Sequence, residues 1–133
     1  VIPEFFREER VERIYSECDK LTYTKTMAER KTLMEDDCDA FIIAPGGIGT
    51  LEEFYEVITL KQLGRHKKAL AMFNINGYFD TLESFMREMA EKKFLAEPCL
   101  RMYKYFTDAD ELLDYLENYE PSDESWRELK NTD

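Results

Sequence analysis

The residues best suited to chemistry lie in one short stretch, Pro45-Gly46-Gly47-Ile48-Gly49-Thr50-Leu51-Glu52-Glu53. Glycines let a backbone come close to a ligand, and the free N–H groups of a first helical turn form an anion site. Two carboxylates, Glu52 and Glu53, follow at once. A phosphate cradle has no need of them, so their presence points to chemistry as well as binding. A bare Gly-Gly-x-Gly is also an ordinary tight turn. The longer Pro-Gly-Gly-x-Gly-Thr-x-x-Glu pattern is far more restrictive.

Such a turn needs a strand before it and a helix after it. Asp39 to Ala44 reads as the central strand, and its apolar run fits a parallel strand buried on both faces. Leu51, Phe54, Tyr55, Ile58 and Gln62 recur at helical spacing, which predicts a helix from about Thr50 to Leu63 stopped by Gly64. On that reading Glu53 sits in the first turn, where the helix dipole favours negative charge.

The remaining pattern supports this unit. Val1-Ile2-Pro3 reads as a strand end, followed by a loop and a short helix carrying Phe5, Phe6, Val11 and Ile14. Leu21 to Thr24 reads as a short strand. A helix from Thr26 places Met27, Leu33, Met34 and Cys38 on one face. Lys68 to Phe73 is the next strand, with Asn74 to Gly77 as its loop. Tyr78 to Lys92 is a helix with Phe79, Leu82, Phe85, Met86 and Met89 inward. Tyr103 to Phe106 is a last strand, and Thr107 caps a helix over Asp108 to Asn118 that buries Leu112, Leu113 and Leu116. Strands alternating with helices over short connections call for a parallel sheet with ligands at its carboxyl edge.

With 133 residues, 44% of them hydrophobic, the chain suits one domain. No apolar run approaches the ~18 residues of a membrane span. The net charge of −11 argues against nucleic-acid and anionic-membrane partners. Much of that charge is local: Asp108 to Asp133 holds ten acids against Arg127 and Lys130. Residues 1–119 read as the domain and 120–133 as a polar acidic tail, against which Trp126 and Leu129 could dock. Cys18, Cys38 and Cys99 are widely spaced and His66 is the one histidine, so structural zinc is not expected and free thiols in a reducing cytoplasm are. His66, in Gly64-Arg65-His66-Lys67, reads as a surface loop residue.

The nine-residue pattern resembles the signature of the LOG ("Lonely Guy") family, phosphoribohydrolases of cytokinin riboside 5′-monophosphates formerly called possible lysine decarboxylases. That family carries Met-x-x-Arg-Lys on the preceding helix. Here it stands as Met27-Ala28-Glu29-Arg30-Lys31, with Arg30 and Glu53 separated by 23 positions, as in the family. Glu56 to Thr59, Gln62 to Gly64 and Asn76-Gly77-Tyr78-Phe79 also look like family segments. The resemblance covers about residues 1–118. It implies a Rossmann-like α/β fold with a parallel sheet and flanking helices, and it implies that this sequence lacks the family's N-terminal strands. Val1 in place of an initiator Met agrees with a start inside a longer domain.

The resemblance also implies roles. Arg30 and Glu53 correspond to the catalytic pair. Gly46, Gly47, Gly49 and Thr50 would hold the 5′-phosphate, with Met27, Lys31, Ile48 and Glu52 beside the substrate. An upstream carboxylate falls at Glu12 by spacing, with Glu8 and Glu9 as neighbours of uncertain register. The substrate would be a purine nucleoside 5′-monophosphate, with or without an N6 substituent, split into base and ribose 5-phosphate by a homodimer. No metal or organic cofactor is implied. The chemistry of the residues agrees. Breaking an N-glycosidic bond puts positive charge on the ribose, which a carboxylate stabilises, and an arginine fork suits a phosphate or that carboxylate. Two rival readings are a nucleotide-binding module without turnover and a pyridoxal-phosphate decarboxylase. The latter needs a Schiff-base lysine and a partner for the pyridinium nitrogen; near the motif only Lys31 offers itself.

Overall fold

The computed structural model describes residues 1–9, 14–15 and 17–122. Glu12, Val11, Trp126 and Leu129 lie outside the described residues. The chain divides into two compact units, Val1–Cys38 and Asp39–Asp133.

In the first unit, β1 (Ile2–Pro3) pairs in parallel with β2 (Tyr23–Thr24), and α1 (Glu4–Glu9) follows β1 directly. Helix α2 (Met27–Asp36) starts where a Thr should start one: the extended Thr26 accepts a hydrogen bond from the Glu29 N–H at 3.1 Å. Glu29 in turn accepts from the Lys25 N–H at 2.8 Å, next to the cap. The expected apolar face is only half realised. No α2 residue is fully buried, and Met34 is exposed.

The second unit is a parallel sheet ordered β3 (Ala40–Ile43), β4 (Ala69–Phe73), β5 (Lys104–Phe106). Helices α3 (Ile48–Gln62) and α4 (Asp80–Glu91) cover one face, and α5 (Ala109–Glu117) covers the other. The larger core joins Phe54, Val57 and Ile58 of α3 to Leu70 and Met72 of β4 and to Phe79 and Met86 at α4. On the opposite face Leu112 meets Ala71 and Phe106.

The central strand of this sheet is therefore β4, not Asp39 to Ala44. All of Ala69, Leu70, Ala71 and Met72 are at most 2% exposed, whereas Ile42 of β3 is 49% exposed. The α5 cluster draws on β4 and β5, so Phe41 and Ile43 face the larger core while Ile42 does not. Phe85 and Leu113, expected inward, are exposed as well. Each helix lies on a narrow three-stranded sheet, and only the centre of its apolar stripe finds cover. The cap of α5 is Asp108 rather than Thr107. Its carboxylate accepts from the Asp110 and Glu111 N–H groups at 2.9 and 3.0 Å, and a charged acceptor shared by two donors wins over a neighbouring hydroxyl.

The carboxyl end of α3 is closed completely. Gly64 is left-handed at φ 69°, with Arg65 N–H bonded to Leu60 O and Gly64 N–H to Lys61 O. That pairing is a Schellman ending. The inward residue of the last turn is Lys61, not Gln62: it is 9% exposed, and its ammonium donates to Lys68 O, Met102 O and Tyr119 Oη at 2.8, 2.9 and 3.0 Å. Burial lowers its pKa to about 8. His66 is likewise no surface residue. It is half-buried, with Nε2 2.9 Å from Val57 O and Nδ1 accepting from the Lys68 N–H, and burial pulls its pKa down.

Candidate active site

The glycine turn leaves the carboxyl end of β3 and enters α3 at Ile48, two residues earlier than expected. Gly47 is the N-cap, in extended conformation (φ −94°, ψ −151°), and as a glycine it has no side chain with which to cap the helix. The donors of the first turn are thus presented by backbone alone. This shift moves Glu53 into the second turn, beyond the reach of most of the dipole effect, and Glu52 with it. Glu53 is half-buried and Glu52 exposed, so Glu53 is the carboxylate turned toward structure.

The three glycines differ. A Cβ on Gly46 would lie 2.1 Å from Thr50 Oγ1, so Gly46 is glycine because Thr50 packs on it. Among the described residues a Cβ on Gly47 or Gly49 would meet nothing within 4 Å, and neither needs positive φ. The fold asks for glycine at 46 only. At 47 and 49 bare backbone is useful for something that approaches from outside. Ile48, between them, is 88% exposed.

The next β-to-α connection lies alongside. Adjacent parallel strands bring the ends of β3 and β4 together, and Tyr78 donates its hydroxyl to Gly46 O at 2.5 Å across 32 positions of sequence. A buried amide holds that connection in shape. Asn74 Oδ1 accepts from the Phe79 N–H and Nδ2 donates to Asp80 Oδ1, both at 2.7 Å, while the Asn74 N–H reaches Phe106 O. Asn76 and Gly77 are left-handed, and a Cβ on Gly77 would strike Asp80 Oδ2 at 2.6 Å. Tyr78 was missed as a site residue. The available signal is the Asn76-Gly77-Tyr78-Phe79 segment, in which Asn74 to Gly77 reads as a loop and Tyr78 as the start of the next helix, with nothing local to show that Tyr78 reaches back to the turn.

Within the second unit, then, Gly46, Gly47, Ile48, Gly49, Thr50, Glu52 and Glu53 fall on one turn and the two helical turns behind it. Within the first unit Met27, Arg30 and Lys31 share α2. Arg30 is half-buried, donates from Nε to Val1 O at 3.1 Å, and lines a cavity of about 120 Å³ with Ile2, Pro3, Phe6 and Tyr15. A larger cavity, about 240 Å³, lies between α4 and β5 against Glu83, Arg87, Tyr103 and Tyr105, away from the glycine turn. Among the described residues the buried Tyr105 hydroxyl has no hydrogen-bond partner. That cavity is roomy enough for water to serve it, and it contains nothing of the motif. Among the described residues no group of three or more His, Cys, Asp or Glu is placed to hold a metal. No helix of the described residues is long and apolar enough to cross a membrane.

Comparison with known proteins agrees with the motif. The chain is 43% identical over 95 residues to a rice (Oryza sativa subsp. japonica) protein named probable cytokinin riboside 5′-monophosphate phosphoribohydrolase LOGL3. The match covers 71% of this chain and 45% of that protein. It is 42% identical over 95 residues to the Arabidopsis thaliana cytokinin riboside 5′-monophosphate phosphoribohydrolase LOG7, covering 71% and 44%. It is 45% identical over 95 residues to the rice enzyme LOG, covering 71% and 39%. The chain thus spans less than half the length of these relatives. Matched over residues 1–116 by the model of the family described as "Possible lysine decarboxylase", and similar over most of its length to these named proteins, the chain belongs to the LOG family.

Proposed function

We propose that this chain supplies the phosphate-binding turn and the catalytic carboxylate of a phosphoribohydrolase. The reaction adds water across the N-glycosidic bond of a purine nucleoside 5′-monophosphate, giving free base and ribose 5-phosphate. The observation that carries the proposal is the pair Gly47 and Gly49. Neither packing nor backbone conformation requires glycine there, and both open toward solvent at the start of α3. The 5′-phosphate is received by the N–H groups of that first turn. Glu53, one turn further along, faces the ribose. As the C1′–N bond lengthens, positive charge grows on the ring, and the carboxylate stabilises it and orients the attacking water. One water proton leaves with the base and the hydroxyl stays on C1′. Arg30 offers a planar fork to the phosphate or to Glu53, and the support for it is its Met-x-x-Arg-Lys setting at 23 positions from Glu53. Met27, Lys31, Ile48, Thr50 and Glu52 are proposed to line the substrate on the same grounds, as is Glu12 by its spacing.

Glu53→Gln keeps size and hydrogen bonding and removes the charge. It should lower kcat and kcat/KM alike, by about 10²-fold or more, with nucleotide affinity nearly intact, because the lost interaction belongs to the transition state. Glu52→Gln should do little. The check is a panel of nucleoside monophosphates assayed for released base. Full activity in Glu53→Gln would remove the catalytic role. A wild type that binds nucleotide and releases no base would leave a binding module.

A discrete homodimer through the outer surfaces of α3 and α4 is proposed as well, supported by Phe85 on α4 and Leu63 after α3, both exposed. Light scattering that finds only monomer at micromolar concentration would reject it. A cytoplasmic location is proposed too, supported by the wide spacing of Cys18, Cys38 and Cys99 along the sequence, with no C-x-x-C pair.

A further inference from the structure

We propose that Tyr78 is a positioning residue for the anion site, holding the Gly46–Gly47 peptide so that the Gly47 N–H faces the phosphate; this rests on the phosphate-binding reading of the turn. The geometry is simple. Gly46 O and the Gly47 N–H belong to one trans peptide, so they point in opposite directions. Tyr78 Oη holds the oxygen at 2.5 Å. The N–H is thereby turned away from Tyr78, on the side where a Cβ of Gly47 would meet no atom of the described residues within 4 Å. Without that hydrogen bond the peptide is free to rotate, because glycine on both sides places few limits on φ and ψ. Thr50 restrains the turn from another direction by packing on Gly46 Cα.

Tyr78 is itself held firmly. Its neighbour Phe79 is 1% exposed, and the two rings meet edge-to-face at 5.1 Å. The Asn74 amide ties the Phe79 N–H to Asp80, and the Tyr78 N–H reaches Ile75 O at 3.1 Å. The ring is 55% exposed, so burial of apolar area does not explain an aromatic residue here. Beyond the Phe79 contact, its engagement among the described residues is the hydroxyl on Gly46. A side chain carried by a rigid loop and bonded to the carbonyl behind an open N–H donor is a device for preorganising that donor.

The test uses the chain as it stands, with ribose 5-phosphate and inorganic phosphate as probes. Binding is followed by calorimetry and by the amide shift of Gly47 in ¹⁵N-correlated spectra. Tyr78→Phe keeps the ring and loses only the hydroxyl. The expected result is affinity for both probes weakened about fivefold, the worth of one ordinary hydrogen bond. The phosphate-induced shift of the Gly47 amide should shrink, while the thermal midpoint stays within about 2 °C of wild type. Wild-type affinity and an unchanged Gly47 shift in Tyr78→Phe would overturn the positioning role and leave the phosphate site standing. A wild type that binds neither probe would overturn both. A midpoint that falls far while affinity holds would make Tyr78 a structural staple of the two loops, which also overturns the proposal.

Discussion

The two ends of α3 are built on opposite principles. At its carboxyl end every device for closing a helix is present: a left-handed glycine, both Schellman hydrogen bonds, a buried lysine across Lys68 O and Met102 O, and His66 on Val57 O. At its amino end the N-cap is a glycine with no side-chain cap, Ile48 stands 88% exposed, and two glycines have none of the described residues within 4 Å of where a Cβ would sit. A helix that needed only to be stable would carry Ser, Thr, Asp or Asn at its start, worth roughly 1 kcal/mol over Ala; α2 and α5 do carry such residues. The chain spends its polar groups where structure is wanted and withholds them where a ligand is to come. The contrast separates residues that hold the fold from residues kept bare for binding.

The closed end should be the costly one to damage. Lys61→Ala removes a buried alkyl stem and leaves two carbonyls without their donor, at about 2–4 kcal/mol. Some of that is returned, because the depressed pKa shows that the buried ammonium is itself expensive. A net loss near 2 kcal/mol in urea unfolding at pH 7 is expected, with phosphate binding at the far end unchanged in the folded protein. A loss below about 0.5 kcal/mol, the range of ordinary surface substitutions, would mean the carboxyl end is not held by Lys61.

The same lysine gives the closed end a pH signature. Folded Lys61 releases its proton from about pH 8, whereas the unfolded side chain keeps its own to 10.5. Between those values the unfolded state binds more protons, so this group makes stability rise with pH. Tyr103 opposes it at higher pH. Burial pushes its pKa up to about 12, so the unfolded phenol ionises first and stability falls from about pH 10. The urea midpoint should therefore climb between pH 8 and 9.5, and Lys61→Met should flatten the climb. A flat wild-type profile in that window would show that the ammonium is less buried than the structure places it.

How much of this contrast could be read from sequence depends on which physical signal each part leaves. The open end was legible. Pro-Gly-Gly-x-Gly-Thr marks a turn by composition, and the apolar runs on either side fix strand and helix periods. Its exact start was not, because Gly47 and Gly49 depress helix propensity while the fold makes Ile48 and Gly49 helical regardless. The closed end was half legible. Gly64 announces itself, but helical spacing puts Gln62 on the inward stripe, and the burial of Lys61 depends on carbonyls from Lys68 and Met102 that only the fold delivers. Strand order was also beyond local reading. The apolar runs of β3 and β4 look alike, and only the neighbours decide that β4 is central and that Ile42 stays exposed. Tyr78 belongs with these: a 32-residue contact leaves no periodicity.

The smallest effect tests the open end, and its sign matters more than its size. Gly49 is the second residue of α3, has no positive φ, and among the described residues has nothing within 4 Å of the place a Cβ would occupy. Glycine inside a helix gives up roughly 0.5–1 kcal/mol against alanine, through backbone entropy in the unfolded chain. Gly49→Ala should therefore stabilise the protein by a few tenths to about 1 kcal/mol. The same methyl stands beside the N–H groups assigned to the phosphate, so affinity for ribose 5-phosphate should fall by about tenfold or more, the factor that 1.4 kcal/mol of lost contact gives. Gain of stability with loss of binding is the outcome that a bare, functional glycine demands. If Gly49→Ala is stabilised and binds as well as wild type, the open end of α3 is merely unfinished. If it is destabilised, some contact of the folded protein requires the glycine, and the distinction between the two ends no longer holds at that residue.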